Sequence, residues 1–180
     1  VLMGFEILGS RVLSPYFGNT IFVCGSLIGV FMAGMAIGYY LGGWLGDRWQ
    51  SRFLLAVFLI LPAFILLLFP YFAFPCTELL ADSELGPRAG PLLASLMLFL
   101  VPSVFQGAVS PCAFVLAVKD LHSAGRSVGS LYAISTIGSI AGTLGTAFYL
   151  ILWMGTRSSL QLLGGFLVLT AIASLFLSSK

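Results

Sequence analysis

Long stretches without charge are the feature that most constrains what this chain can fold into. A helix needs about 20 mostly apolar residues to cross the hydrocarbon core of a membrane. Five uncharged runs reach that length: 12–46, 53–77, 89–118, 127–156 and 158–179. Only 8% of the 180 residues are charged and 59% are hydrophobic, whereas a soluble domain carries roughly a quarter charged residues. We therefore expect lipid to be the solvent for most of the chain.

These runs, with the apolar residues before Pro15, predict an all-α bundle of six transmembrane helices in one domain spanning 1–180. Continuous apolarity, without alternation, favours helices over a transmembrane barrel. The polar stretch 77–91 is predicted to form a loop. Because the sequence is already apolar at Val1, we expect helix 1 to begin earlier than this residue. The predicted boundaries of the six helices are 1–15, 20–46, 53–75, 91–118, 128–154 and 158–178.

Basic residues predict how the bundle is oriented, because Lys and Arg in short loops favour the cytoplasmic side. The loops after helices 2 and 4 and the end of helix 6 must share one side. The opposite loops hold Arg88 and Arg157. Both chain ends are therefore expected in the cytoplasm, on the side that holds Arg48, Arg52, Lys119, Arg126 and Lys180.

Composition also excludes several classes of function. The net charge of +2 and the lack of a basic run argue against a nucleic-acid partner. The three cysteines, Cys24, Cys76 and Cys112, are far apart and form no CxxC pair, which argues against a metal centre or a disulfide framework. The single histidine, His122, is expected to be a solvated loop residue. We expect no metal and no cofactor.

Two helices carry glycines at intervals of four residues, a spacing that places small residues on one face and lets a neighbouring backbone approach. Such faces pack helices within one subunit, or they form smooth surfaces along which helices slide during transport. The sequence leaves both interpretations open. The glycines are Gly34, Gly38, Gly42 and Gly46 in helix 2, and Gly138 and Gly142 in helix 5.

The turn after helix 2 contains Gly43, Asp47, Arg48 and Arg52. It resembles the signature of the major facilitator superfamily between helices 2 and 3, although Gln50 stands where that family usually has glycine. The resemblance implies a fold equivalent to half of such a transporter. It also implies that Asp47 contacts positive charge and a helix N-terminus of the other half, which suits a carboxylate at a positive dipole end. The alternative is that Asp47 and Arg48 only mark the membrane boundary.

A second resemblance covers nearly the whole chain. The matching segments resemble the amino-terminal membrane domain of bacterial fused major-facilitator/spermidine-synthase-like proteins. That resemblance implies the bacterial inner membrane and a polyamine or other small cationic solute. The segments are Glu6–Gly18, Gly25–Phe31, Ser110-Pro111, Gly125–Ala133, Thr136–Ser139, Gly142 and Gly155–Arg157.

Members of that family commonly continue into an aminopropyltransferase domain, but residues 1–180 show no glycine-rich cofactor loop and no catalytic set. Whether the chain serves an enzyme stays open. Three functions remain: a membrane module that handles a solute, a structural or accessory subunit of a larger membrane complex, and the anchor of a separately encoded or removed enzyme domain.

Polar residues inside the predicted helices suggest a substrate site among helices 1, 4 and 5, lined by Glu6, Gln106 and Tyr132. Intramembrane charge is costly and often functional, and prolines on either side of Gln106 favour a broken, cavity-lining helix. Arg11 is expected to extend towards the interface instead. Hydrogen bonds between packed helices would explain the same residues.

A complete major facilitator transporter has two six-helix halves, and these residues supply one. We therefore expect that the chain is not a functional monomer and that helix 2 or helix 5 contacts another polypeptide in the bilayer. A homodimer is the default, and a different membrane subunit is the alternative.

Overall fold

The computed structural model describes residues 1–82, 86–117 and 124–176, and within these ranges the chain is helical apart from short turns. The all-α prediction is confirmed for this part of the chain. Lys119, His122 and Lys180 lie outside the described residues. The elements are α1 (Leu2–Phe17), α2 (Ile21–Arg48), α3 (Arg52–Asp82), α4 (Gly86–Ala117), α5 (Ala124–Gly145), a π-helical turn (Thr146–Leu150) and α6 (Ile151–Phe176).

The predicted count of six separate helices is not supported. In the described residues α5 passes through the π-helical turn into α6 without a loop, so there are five continuous helical segments. The predicted break between 154 and 158 contains Gly155, whose backbone is not helical, although α6 continues on both sides of it. Four segments are long and apolar enough to cross a membrane: Ile21–Arg48, Arg52–Ala81, Gly86–Ala117 and Val128–Phe176. The remaining segment, α1, has 16 residues.

The last segment is not straight, because Gly155 has φ 72° and ψ 174°, a conformation that favours glycine. The Ser159 hydroxyl lies 3.1 Å from the carbonyl oxygen of Leu150, nine residues earlier. Nine residues of straight helix rise about 13.5 Å, so the chain folds back at Gly155. Ser159 also donates to the Gly155 carbonyl at 2.6 Å, and it thereby serves carbonyls that the turn leaves unpaired.

The predicted loop 77–91 is wrong for the residues that the structure describes. Helix α3 continues to Asp82 and α4 begins at Gly86, so only 83–85 lie outside a described helix. The Thr77 hydroxyl is buried and donates to the Ala73 carbonyl at 2.6 Å, which allows a polar residue to continue the helix. Pro87 occupies the first turn of α4, where proline is tolerated because its missing N–H has no helical partner.

The closest helix contact joins α2 and α4 through glycines. A Cβ atom added to Gly38 would collide with the carbonyl oxygen of Val104, and one added to Gly42 would collide with that of Ala108. On α4, Gly107 approaches α2 in the same way. The two backbones therefore touch directly, the arrangement that small residues permit in membranes.

Four phenylalanines form the centre of the bundle, one from each of the first four helices. Phe5 of α1 packs against Phe31, Phe69 and Phe99 with ring centroids 5.5, 5.2 and 5.2 Å away. All four side chains are buried. Aromatic pairs at such distances add about 0.5–1.5 kcal/mol each beyond the area that they bury. Helix α1 thus joins the core although it is the shortest α-helix of the chain.

The outside of the bundle is covered with large apolar side chains, which indicates that lipid surrounds it. Helix α5 is the most exposed element and packs mainly against α1. Ile134 and Ile137, for example, are 71% and 65% exposed. The protein is therefore an integral membrane protein.

We expect Gly38→Ala to lower the stability of the folded bundle by about 1–3 kcal/mol, the usual cost of overpacking. Its new methyl group would meet backbone atoms of α4 that cannot move aside. Gly43→Ala is the matched control, because a Cβ at Gly43 meets no atom within 4 Å, and it should gain up to about 1 kcal/mol from helix propensity. Thermal unfolding in detergent measures both. Equal melting temperatures would contradict the α2–α4 contact.

We expect Ser159→Ala to lower stability by about 0.5–1.5 kcal/mol, since it removes the hydroxyl that donates to the carbonyls of Leu150 and Gly155. Ser158→Ala is the control, because it removes the same hydroxyl from the neighbouring, half-buried position. Chemical unfolding in mixed micelles compares the two. If Ser158→Ala is the more damaging, the described role of Ser159 is incorrect.

Candidate functional site

A cavity of about 770 Å³ lies between the start of α1, the middle of α2 and α4, and the facing parts of α5 and α6. Most of its lining is apolar. Its polar members come from four helices, and two of them are exposed while the other four are half-buried. They are Tyr39 of α2, Gln106 and Ser110 of α4, Ser135 and Ser139 of α5, and Thr170 of α6.

The cavity has hydrogen-bonding groups but no charged side chain among its described lining residues. Two of its polar groups already have partners, because the Thr170 hydroxyl donates to the Leu167 carbonyl at 2.8 Å and the Tyr39 hydroxyl lies 3.7 Å from the Met35 sulfur. Such a lining can bind a molecule through hydrogen bonds and apolar contacts.

Gln106 is a polar residue of the cavity with a buried atom that lacks a hydrogen-bond partner. It lies on α4 between Pro102 and Pro111, and its amide nitrogen Nε2 is buried without a hydrogen-bond partner among the described residues. Buried polar groups in native proteins nearly always have a partner. The Gln106 amide is therefore available to a water molecule or a bound solute in the cavity.

The structure does not bring the three predicted site residues together. Gln106 lines the cavity, whereas Glu6 and Tyr132 do not. Tyr132 is 64% exposed on α5, one turn before Ser135, the first residue of this helix that lines the cavity. Glu6 is half-buried on α1, and its carboxylate has no hydrogen bond or ion pair to another described residue.

Glu6 lies on a half-buried side of α1 together with Ser10 and Ser14, next to the exposed Arg11. Both serines turn their hydroxyl groups back to their own helix: Ser10 donates to the Ile7 carbonyl at 2.7 Å, and Ser14 to the Ser10 carbonyl at 2.5 Å. We call Glu6, Ser10 and Ser14 the α1 polar stripe. The stripe therefore holds a half-buried carboxylate beside two hydroxyl groups that already bond within α1.

The predicted turn lies at one end of the bundle, called here the Asp47 end. Asp47 is exposed, and the Arg48 guanidinium stands 5.9 Å from the Trp44 ring centre. Gly43 meets no other helix, and Arg52 begins α3. The turn is therefore formed at a helix end and is accessible from outside the bundle.

Two arginines at the other end contact aromatic rings that the sequence analysis did not connect with them. The Arg88 guanidinium is 5.4 Å from the Phe22 ring centre, and that of Arg157 is 4.8 Å from the Phe74 ring centre. These cation–π contacts join α4 to α2 and α6 to α3. Residues so distant in sequence carry no local signal of their contact. Tyr39 and Thr170 of the cavity were missed for the same reason.

The two predicted glycine faces have different environments. The stripe of Gly34, Gly38 and Gly42 is covered by α4, so this face is not available to another polypeptide. On α5, a Cβ at Gly138 would meet no atom within 4 Å, and one at Gly142 would lie 3.9 Å from the Val1 nitrogen. The α5 glycines are therefore largely free of contacts with the other described helices.

We expect Gln106→Leu to keep the bundle folded and to raise its stability by up to about 1 kcal/mol, because it removes a buried amide that lacks a partner. Gln161→Leu is the matched control, since Gln161 is exposed on α6 and its replacement should change stability little. Melting temperatures in the same detergent test this expectation. A loss of more than about 1 kcal/mol for Gln106→Leu would show that the amide bonds within the protein.

Comparison with known families agrees with the helical architecture and the charged turn. The family model described as Major Facilitator Superfamily matches residues 2–143, which include α1 to α4, the turn at Asp47 and most of α5. Neither the comparison with curated proteins nor that with solved structures gives a significant match. The match over most of its length shows that this chain belongs to the major facilitator superfamily.

Proposed function

We propose that the chain is a transport module, one half of a membrane transporter, whose cavity becomes part of a solute path when a second six-helix unit covers its open side. The unpartnered Gln106 amide in the 770 Å³ cavity is the observation that carries this proposal. In a bundle with a purely structural role, we expect a buried hydrogen-bond donor to have a partner within the protein.

The proposed module is a single transmembrane domain over 1–180 that crosses the membrane six times. The fold-back at Gly155 supports two crossings by 124–176, because Ser159 returns to Leu150. A straight helix of the 49 residues Val128–Phe176 would be about 74 Å long, far more than the roughly 30 Å of a hydrocarbon core.

The proposed membrane is the bacterial inner membrane, with both chain ends in the cytoplasm. In this orientation the Asp47 end, which holds Arg48 and Arg52, faces the cytoplasm. Arg88 and Arg157 then lie on the opposite side, where each stacks on a phenylalanine ring. The positive-inside tendency supports this assignment.

The α1 polar stripe supports a second unit. A carboxylate within the membrane is normally paired or lines a water-filled path, and Glu6 has no ionic partner among the described residues. A second six-helix unit placed over the stripe would enclose Glu6 between the two halves. Asp47, which is exposed at the end of α2, would be accessible to the same unit.

The proposed solute is a polyamine or another small cation, and Glu6 would bind it. A half-buried carboxylate is the side chain that attracts an amine most strongly in a low-dielectric site. The cavity residues, which include no charged side chain, would then contact the uncharged part of the solute through Gln106 and the serines. A spermidine-synthase-like enzyme fused to the module would consume or produce such a solute.

A second candidate is a non-transporting subunit, or the anchor of a separate enzyme domain. The glycines of α5 favour it, because Gly138 and Gly142 line the cavity and leave room there for the backbone of a partner helix. In that case the partner, a second copy or another membrane subunit, would pack on α5 without any solute flux.

Uptake of labelled spermidine by membrane vesicles that contain the full-length protein tests the proposal. We expect Glu6→Gln to reduce uptake tenfold or more, because the amide keeps the shape and loses the charge. Glu78→Gln is the matched control, since Glu78 is exposed near the end of α3, and it should leave uptake unchanged.

Two outcomes would contradict the proposal. If vesicles with the protein take up no more spermidine, putrescine or other amine than empty vesicles, the chain does not transport cations. If Glu6→Gln and Glu78→Gln behave alike while uptake is present, Glu6 is not the cation site. Gln106→Leu with normal stability and normal uptake would remove the cavity from the solute path.

A further inference from the structure

Helix α5 ends in a local irregularity. Residues Thr146–Leu150 form a π-helical turn, in which the N–H of Ile151 donates to the carbonyl of Thr146 five residues earlier. No proline occurs between 124 and 176 to account for it. A π-helical turn accommodates an extra residue within an α-helix, and such turns are frequent at functional sites.

The π-helical turn lies against α1 at a position where only glycine fits. Thr146 is 1% exposed, and a Cβ added to Gly4 would lie 2.5 Å from its hydroxyl oxygen. That hydroxyl has no hydrogen-bond partner among the described residues. Threonine in a helix commonly bonds to the carbonyl three or four residues earlier, so the contact with Gly4 leaves the hydroxyl of Thr146 unsatisfied.

The rest of α5 has room to turn. A Cβ added to Gly129, Gly138 or Gly145 would meet no atom of another helix within 4 Å. In contrast, the α2–α4 contact leaves no space for even one methyl group at Gly38 or Gly42. Rotation of α5 about its own axis therefore disturbs few contacts.

We infer that the π-helical turn is a register switch, which changes the side of α5 that lines the cavity. Each residue of a regular α-helix turns about 100°. If the π-helical turn becomes regular, the residues on its amino-terminal side turn by about that angle, and each position is taken by the next residue along the chain. Thr136 then replaces Ser135, and Thr143 replaces Gly142.

The face that would enter the cavity already carries polar groups. Tyr132 and Thr136 are four residues apart and so lie on one side of the helix. In the observed register both are exposed, and the Thr136 hydroxyl donates to the Tyr132 carbonyl at 2.8 Å. In the second register Thr136 and Thr143 take the places of Ser135 and Gly142 in the cavity lining, and Ser139 takes that of Gly138. The two registers thus offer a bound solute different partners.

The change of cavity lining matters only if the proposed transport function holds, but the register change itself does not depend on it. Cross-linking within the full-length protein in native membranes separates the two. Cys24, Cys76 and Cys112 are first replaced by alanine. Gln106→Cys is then paired with either Ser135→Cys or Thr136→Cys, a short bismaleimide is added, and the linked peptides are quantified by mass spectrometry.

In the chain of natural length we expect both pairs to form, with the 106/135 pair in excess. Deletion of Ala147 removes the extra residue, so a regular helix keeps the observed register, and the 106/136 pair should be at least tenfold less abundant than in the chain of natural length. Insertion of one alanine after Leu150 in the deletion variant restores the length and should restore the original preference.

A substitution that keeps the length provides a second measurement. Gly4→Ala places a methyl group against the Thr146 hydroxyl and should raise the 106/136 pair at the expense of the 106/135 pair, whereas Gly25→Ala, at an open position, should not. If the natural chain and Gly4→Ala both yield only the 106/135 pair, α5 has one register and the inference is overturned. If both cross-linked pairs form in the natural chain but vesicles with the protein take up no spermidine, the proposed transport is overturned and the register switch is not.

Discussion

The direct contact between the backbones of α2 and α4 is the constraint on which the rest of this structure depends. Gly38 and Gly42 leave no room for a methyl group against α4, and Gly107 returns the contact from the other helix. Lipid tails are as apolar as leucine, so the association of helices in a membrane depends on close packing. Phe31 of α2 and Phe99 of α4 pack against each other, and Phe5 of α1 and Phe69 of α3 pack against Phe99.

This tight pair contrasts with the loose attachment of α5, and the cavity lies between them. Gln106 belongs to α4 on the rigid side, and Ser135 and Ser139 belong to α5 on the loose side. A site between a fixed and a rotatable helix can change its lining without a change in the core. The buried amide of Gln106 and the buried hydroxyl of Thr146, both without partners among the described residues, lie on α4 and at the end of α5, respectively.

Particular elements show where sequence reasoning succeeds and where it fails. The charge-free runs predicted α2, α3 and α4, because lipid demands a long apolar helix whatever its neighbours are. The same reasoning placed a loop at 77–91, since it treats polar residues as helix ends, and a break between 154 and 158, where Gly155 interrupts the helical backbone. The helix continues through Thr77 because its hydroxyl bonds to Ala73, and the chain folds back at Gly155 within an otherwise continuous helical segment. Of the predicted site residues, Gln106 lines the cavity whereas Glu6 and Tyr132 do not, because the side of a helix that meets a cavity depends on how the helices pack.

The sequence by itself determined that lipid surrounds the folded chain, that the fold is helical and that the chain belongs to its family. These follow from charge, apolar length and the turn with Gly43, Asp47, Arg48 and Arg52, which are local properties of the chain. Only the tertiary structure decided which glycines touch a neighbour: those of α2 are covered by α4, whereas Gly138 of α5 meets no other helix within 4 Å. The interval of four residues is the same in α2 and α5, so the spacing cannot predict which glycines contact another helix. The surface of the neighbouring helix decides it, because close packing needs a complementary partner and a glycine stripe alone does not specify one.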